Sequence, residues 1–140
     1  MPQIIIYCYS INMYWLTNYN KIFIPLYNKI QKMRKTCNDE NLLCSEYINL
    51  FNCACELIKQ YLNYNGLFQF ENREVIKEAI YVELLCDGER WINALSLAEV
   101  YEGDGKEKFN SLILSYLSDE NFYIYDVLVK TFNKIKEEYE

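Results

Sequence analysis

The chain has 140 residues, 51% of them hydrophobic, with 14 basic and 20 acidic side chains and no histidine. That length supports one domain whose core needs no disulfide or metal staple. The missing histidine removes the commonest zinc ligand and the commonest general base at neutral pH. The net charge of −6 argues against nucleic acid as a partner.

The six cysteines, at 8, 37, 44, 53, 55 and 86, include no CxxC pair. Cys53 and Cys55 would point about 200° apart on a helix, which argues against shared metal ligation from one face. They read as small apolar fillers in a reducing cytoplasm. Four glycines and two prolines in the whole chain leave room for long helices.

The first twelve residues read as an N-terminal extension, followed by a single helical domain over 13–140. Their apolar run, Ile4 to Tyr9, is far shorter than the roughly 20 residues that span a bilayer, and a signal peptide would need a basic start and a small-residue cleavage site. No membrane association is expected. Tyr19, Phe23, Leu26, Ile30 and Met33 then keep helical spacing across Pro25. The steps stay in phase on both sides, so a helix kinked at Pro25 is expected rather than one that begins there. Lys21, Lys29, Lys32, Arg34 and Lys35 all precede the first acid, Asp39, and leave 9 basic against 20 acidic residues for the rest of the chain. They form a basic stripe that reads as a solvated helix face.

The clearest period is Leu43, Tyr47, Phe51, Ala54, Ile58 and Tyr61, widened by Cys44, Ile48, Cys55 and Leu62. Asn38 or Asp39 caps this core-facing helix, and Asn65-Gly66 ends it. After a packed connection through Leu67 to Glu71, Asn72 caps a short helix that buries Val75, Ile76, Ala79 and Ile80. Glu74 and Glu78 sit on its wet side. Asp87-Gly88 is read as a cap followed by a turn glycine. A further helix buries Trp91, Ile92, Leu95 and Ala98, and Glu89 reinforces its positive end. The run Glu102-Gly103-Asp104-Gly105 breaks the chain again. Phe109, Leu112, Ile113, Tyr116 and Leu117 form the next stripe, and Phe122, Tyr125, Val129 and Phe132 with Ile124, Leu128 and Ile135 form the last. Ser118 either separates these two or lies inside one helix. The economical solution is an all-α, antiparallel up-down four-helix bundle with additional short helices.

The run NREVIKEAIYVELLCDGERWINAL, Asn72 to Leu95, resembles the nucleotidyltransferase substrate-binding protein family, small helical proteins whose typical run reads PREVIREAFKxGLIxDGExWLxML. Tyr61, Leu62 and Gly66 extend the agreement upstream. The resemblance implies a helical bundle that sits beside a separately encoded minimal nucleotidyltransferase and helps to hold its substrate, with no cofactor and no metal of its own. It carries Arg73, Glu74, Lys77, Asp87, Glu89 and Trp91 over as candidate substrate-binding residues. A plainer reading stands beside each. Asp87 with Gly88 makes a helix start, Trp91 fills the core, and Arg73 and Lys77 pair with Glu74 or Glu78 on the surface.

The departures matter as much. Ala98-Glu99 and Glu102-Gly103-Asp104-Gly105 stand where the family has an Arg-Asn pair and a Ser-His-x-Tyr run. Phe51-Asn52-Cys53-Ala54-Cys55-Glu56 stands where it favours FELAWK. A degenerate interaction or antitoxin-like module is therefore the alternative. A ribonuclease toxin comes last, because the Arg and His such toxins use on RNA phosphates are gone. The Gly-Ser pair and Asp-x-Asp motif expected of the catalytic partner are missing too. The high aromatic content, 16%, predicts an apolar contact face, with a homodimer as the default.

The purified chain alone is expected neither to cleave RNA nor to transfer a nucleotide. Turnover that persists after contaminating enzymes are removed would overturn that expectation.

Overall fold

The computed structural model describes residues 14–64, 71–103 and 110–139, and every regular element among them is helical. The extension over residues 1–12, the Asn65-Gly66 stop, most of the connection to Glu71, Asp104-Gly105 and Phe109 lie outside the described residues. A first rod runs through α1 (Tyr14–Asn18), a π-helical turn (Tyr19–Phe23) and α2 (Ile24–Thr36). The others are α3 (Glu40–Tyr64), α4 (Asn72–Tyr81), α5 (Gly88–Gly103), α6 (Asn110–Ser115) and α7 (Asp119–Glu137). No described helix is long and apolar enough to cross a membrane.

Pro25 explains the π-helical turn. It has no N–H to donate, and in a regular α-helix its ring would press on the carbonyl of Lys21. The chain widens just before it: Ile24 N–H reaches back five residues to the Tyr19 carbonyl, and Asn18, Phe23 and Ile24 all stay right-handed helical. The rod is thus continuous, and the proline is absorbed by a register change. In an α-turn a four-residue step over-rotates slightly; in the wider turn it under-rotates. The two offsets oppose, so Tyr19, Phe23 and Tyr27 fall into one stack, with successive centroids 6.1 and 6.3 Å apart and planes within 16°.

That stack meets α7. The Tyr19 ring lies 5.5 Å from Phe132 and Tyr27 lies 6.1 Å from Phe122. The Tyr19 hydroxyl donates to Asn133 Oδ1 at 2.6 Å and reaches the Val129 carbonyl at 3.0 Å. Tyr27 donates to Asp126, and the Gln31 amide donates to both. Trp15 extends the seam to Phe132 and Tyr61.

Helix α3 is the hub, packed against the rod, α4, α5 and α6. Asp39 caps it as expected, its carboxylate accepting from the Leu42 amide at 3.1 Å. Its buried arc takes in Leu50 and Leu57 beyond the expected stripe, because it is covered from two sides. Among the described residues, Trp15, Tyr19, Phe23, Tyr47, Phe51, Trp91, Phe122, Tyr125 and Phe132 are all buried. The large apolar side chains left exposed, among them Tyr14, Ile22, Tyr81 and Leu112, are distributed over separate elements.

Three local expectations are corrected. Asn72 is the first helical residue of α4, and its amide donates to Asn52; the cap position belongs to Glu71, whose carbonyl accepts from Val75 N–H. The break after α4 runs from Val82 to Asp87. Glu83 N–H bonds the Ile80 carbonyl and Leu84 N–H the Ala79 carbonyl, a Schellman arrangement with Glu83 at φ 62° where glycine is usual. Asp87 and Gly88 exchange their expected roles. Asp87 takes the left-handed conformation, φ 52°, and its backbone carbonyl, not its carboxylate, receives the Arg90 and Trp91 amides. Gly88 is small because a Cβ there would meet Cδ1 and Cγ2 of Ile80 at 3.0 Å.

Left-handed backbone costs a residue with a Cβ about 1–2 kcal/mol, less for Asp and Asn. Glu83→Gly is therefore expected to raise stability by about 1 kcal/mol. Asp87→Asn and Asp87→Gly should hold stability, while Asp87→Ser and Asp87→Ala lose about 1 kcal/mol. Denaturant melts check this, and an Asp87→Ser variant as stable as the parent would restore a side-chain cap.

Candidate ligand-binding cleft

The elbow at 82–87 aims α5 so that its two long faces do different work. Trp91, Ala94, Leu95 and Ala98 turn inward; Trp91 is 1% exposed, 5.2 Å from the Tyr125 ring and 6.2 Å from Phe51. Glu89, Asn93, Leu97 and Val100, stepping by four, four and three, face outward into a cleft closed on its far side by α6 and the start of α7.

The cleft has two halves that share Asn93 and Tyr116. One, of about 300 Å³, is polar and lined by Glu89, Arg90, Asn93, Tyr116 and Asn121. The other, of about 310 Å³, is mostly apolar and lined by Asn93, Ser96, Leu97, Val100, Leu112 and Tyr116. Both volumes fall at the low end of small-molecule sites.

Its far wall is pinned from two directions. Arg90 Nε donates to Asn121 Oδ1 at 3.1 Å while its guanidinium lies 5.4 Å from the Tyr123 ring, and Asn121 Nδ2 donates to the Ser115 carbonyl at 2.9 Å. From α2, Arg34 Nε donates to the Leu117 carbonyl at 2.6 Å, its guanidinium also pairs with Asp119, and it sits 4.1 Å over the Phe122 ring. Ser118 therefore separates α6 from α7. It does so as a cap by backbone carbonyl, bonded by the Asn121 and Phe122 amides.

The candidate residues taken from the sequence do not converge. Arg73 is in an ion pair with Glu99 at 2.6 Å, both side chains 41–50% exposed, a pair of small net worth. Glu74 and Lys77 are exposed on α4, Asp87 shapes the elbow, and Trp91 is core; among the six only Glu89 lines the cleft. Arg90, Asn93, Tyr116 and Asn121 were missed. The signal on α5 was Leu97 and Val100, apolar residues off the Trp91–Leu95–Ala98 stripe. Nothing in the sequence announces the α6–α7 wall. No three His, Cys, Asp or Glu side chains converge as a cation site among the described residues.

Behind Tyr116 the interior is polar in places. Its ring is 6.3 Å from that of Tyr47, which meets Tyr125 edge-on at 5.9 Å. The Tyr47 and Tyr125 hydroxyls are buried close to one another but do not meet hydrogen-bond geometry, and among the described residues neither has another partner. Burial pushes both phenols upward, as it does Tyr19, and takes Tyr27 to about 12. Burial, reinforced by nearby Glu40 and Glu56, holds the Cys44 and Cys53 thiols up at about 11.

No family model, curated protein or solved structure matches this chain.

The tyrosines set an alkaline limit on stability. Their folded-state values lie above the unfolded value near 10, so the stabilisation is whole below about pH 10 and is lost as pH climbs beyond it, through about 12 for Tyr27. In an alkaline titration a block of tyrosinate absorbance is expected to appear together with loss of helical ellipticity. Complete ionisation with the helix signal intact would contradict this.

Proposed function

We propose that this chain is a non-catalytic, substrate-holding subunit that works beside a separately encoded minimal nucleotidyltransferase. The observation that carries the reading is the cleft on α5. The segment that resembles the substrate-binding family, Asn72 to Leu95, folds as helix, elbow and helix, and its outward face carries Glu89 and Asn93 into a small-molecule-sized cleft. The chain has no histidine, so the chemistry is assigned to the partner. In this reading the four long helices form the family's up-down bundle, the working form is a homodimer, and the place of work is the cytoplasm.

A second reading rests on Glu99. It stands where the family has its Arg-Asn pair, and it pairs with Arg73, one of the carried-over cations. A chain altered in this way serves as an interaction or antitoxin-like module that has kept the bundle and lost the family's ligand contacts.

Co-expression with the product of a neighbouring reading frame bearing a Gly-Ser pair and an Asp-x-Asp motif separates the two. The substrate-holding reading expects co-purification and nucleotidyl transfer that requires both chains. Co-purification with transfer unaffected by this chain favours the interaction module. No retention of the enzyme removes the first reading.

A further inference from the structure

We propose that the outward side of the first rod lies against an anionic lipid bilayer, its lysines on the headgroups and its exposed apolar side chains in the interfacial layer. This surface is separate from the cleft and independent of the substrate-holding reading. Tyr19 and Tyr27 turn one side of the rod to α7, and Asn18 turns another to Gln60 of α3. The side left over carries Lys21, Pro25, Asn28, Lys32 and Lys35, stepping by four, three, four and three, and all five are exposed. The other two cations of the rod are matched: Lys29 pairs with Glu46 at 2.8 Å, and Arg34 pairs with Asp119. Lys21, Lys32 and Lys35 have no ion pair among the described residues, and no acid precedes Asp39 in the chain. Three positive charges on one line are thus left for an outside anion.

Nucleic acid, an acidic protein and a lipid surface all supply such anions. The apolar groups decide among them. Tyr14 is 65% and Ile22 56% exposed on the same rod, and the chain just before it reads IIIYCY, a run that lies outside the described residues. A polynucleotide backbone gives aliphatic side chains nowhere to be buried, and a protein would need a matching pocket. A bilayer interface buries isoleucine and tyrosine without one. A short apolar run or a basic patch alone binds marginally, whereas the two together make a stable peripheral contact. No described helix crosses a bilayer, and lying against one requires no span. In this the rod departs from the expectation of no membrane association. From Asp39 onward the chain holds 9 basic and 20 acidic residues, but acids that stand more than about 8 Å from the headgroups are largely screened at physiological ionic strength. On the adjoining α7, exposed Lys130 and Lys134 offset Glu137 and Glu138.

Co-sedimentation of the full chain with phosphatidylcholine vesicles, with and without phosphatidylserine, tests this. Retention is expected on the anionic vesicles, about tenfold or more above the neutral ones, and should fall as salt is added. The triple change Lys21→Gln, Lys32→Gln and Lys35→Gln should abolish it, while arginine at the same three positions should preserve it. Lys77→Gln, on α4, should leave it unchanged. Ile5→Ser combined with Ile22→Ser should weaken it several-fold, and circular dichroism confirms the fold of each variant. Equal retention on both vesicles, retention on neither, or binding that survives the glutamine triple would overturn the proposal. So would an Ile5→Ser, Ile22→Ser variant that binds like the parent, since charge alone would then act and a polyanion such as RNA would be the better partner. Nucleotidyl transfer plays no part in these readouts, so this proposal and the accessory-subunit reading can each fail alone.

Discussion

The aromatic seam between the first rod and α7 is the contact on which the remainder of the fold depends. It needs Tyr19, Phe23 and Tyr27 on one line, which a straight α-helix cannot provide over eight residues without drift. The proline-induced wide turn supplies the correction. With the rod seated, α7 presents Phe122 to Tyr27 and Tyr125 to Trp91, with centroids 6.1 and 5.2 Å apart. The position of α5, and so of the cleft, follows from a stacking relation set at the other end of the chain.

The sequence was legible where one helix buries one face. The α3 stripe, the Asp39 cap, the inward set of α4 and the core role of Trp91 all follow from spacing and residue type. It was less legible where two elements share a constraint. Leu50 and Leu57 are buried because α3 is covered on two sides, a fact of tertiary arrangement. Pro25 looked like a kink because spacing alone does not distinguish a bend from a change of hydrogen-bond register. The Asp87-Gly88 pair followed the usual expectation that glycine takes the left-handed conformation; Ile80, packed against Gly88, reverses it. The cleft was half visible, through the second apolar line on α5. Its other half comes from a separate, later pair of elements, α6 and the start of α7, pinned by Arg34 and Arg90.

The elbow joins the strained backbone to the candidate site. Two left-handed residues, Glu83 and Asp87, bracket the five-residue passage that sets the direction of α5. Such strain persists only where surrounding contacts over-determine the path. Here Leu85 is buried and Gly88 lies against Ile80, so the passage is held from both ends. Glu89, two residues past Asp87, lines the polar half of the cleft, so its backbone position is inherited from that path.

The bonds of Tyr19 also constrain how the chain is made. Its hydroxyl partners, Val129 and Asn133, lie 110 and 114 residues further on. During synthesis the rod emerges before α7 and has none of its α7 contacts until that helix has left the ribosome. Trp15 and Tyr19 stay without their Phe132 neighbour until α7 has followed. Non-local closure of this kind slows folding and leaves an apolar stripe open to other molecules in the interval. The nascent rod is therefore open to non-native apolar contacts until α7 has been made.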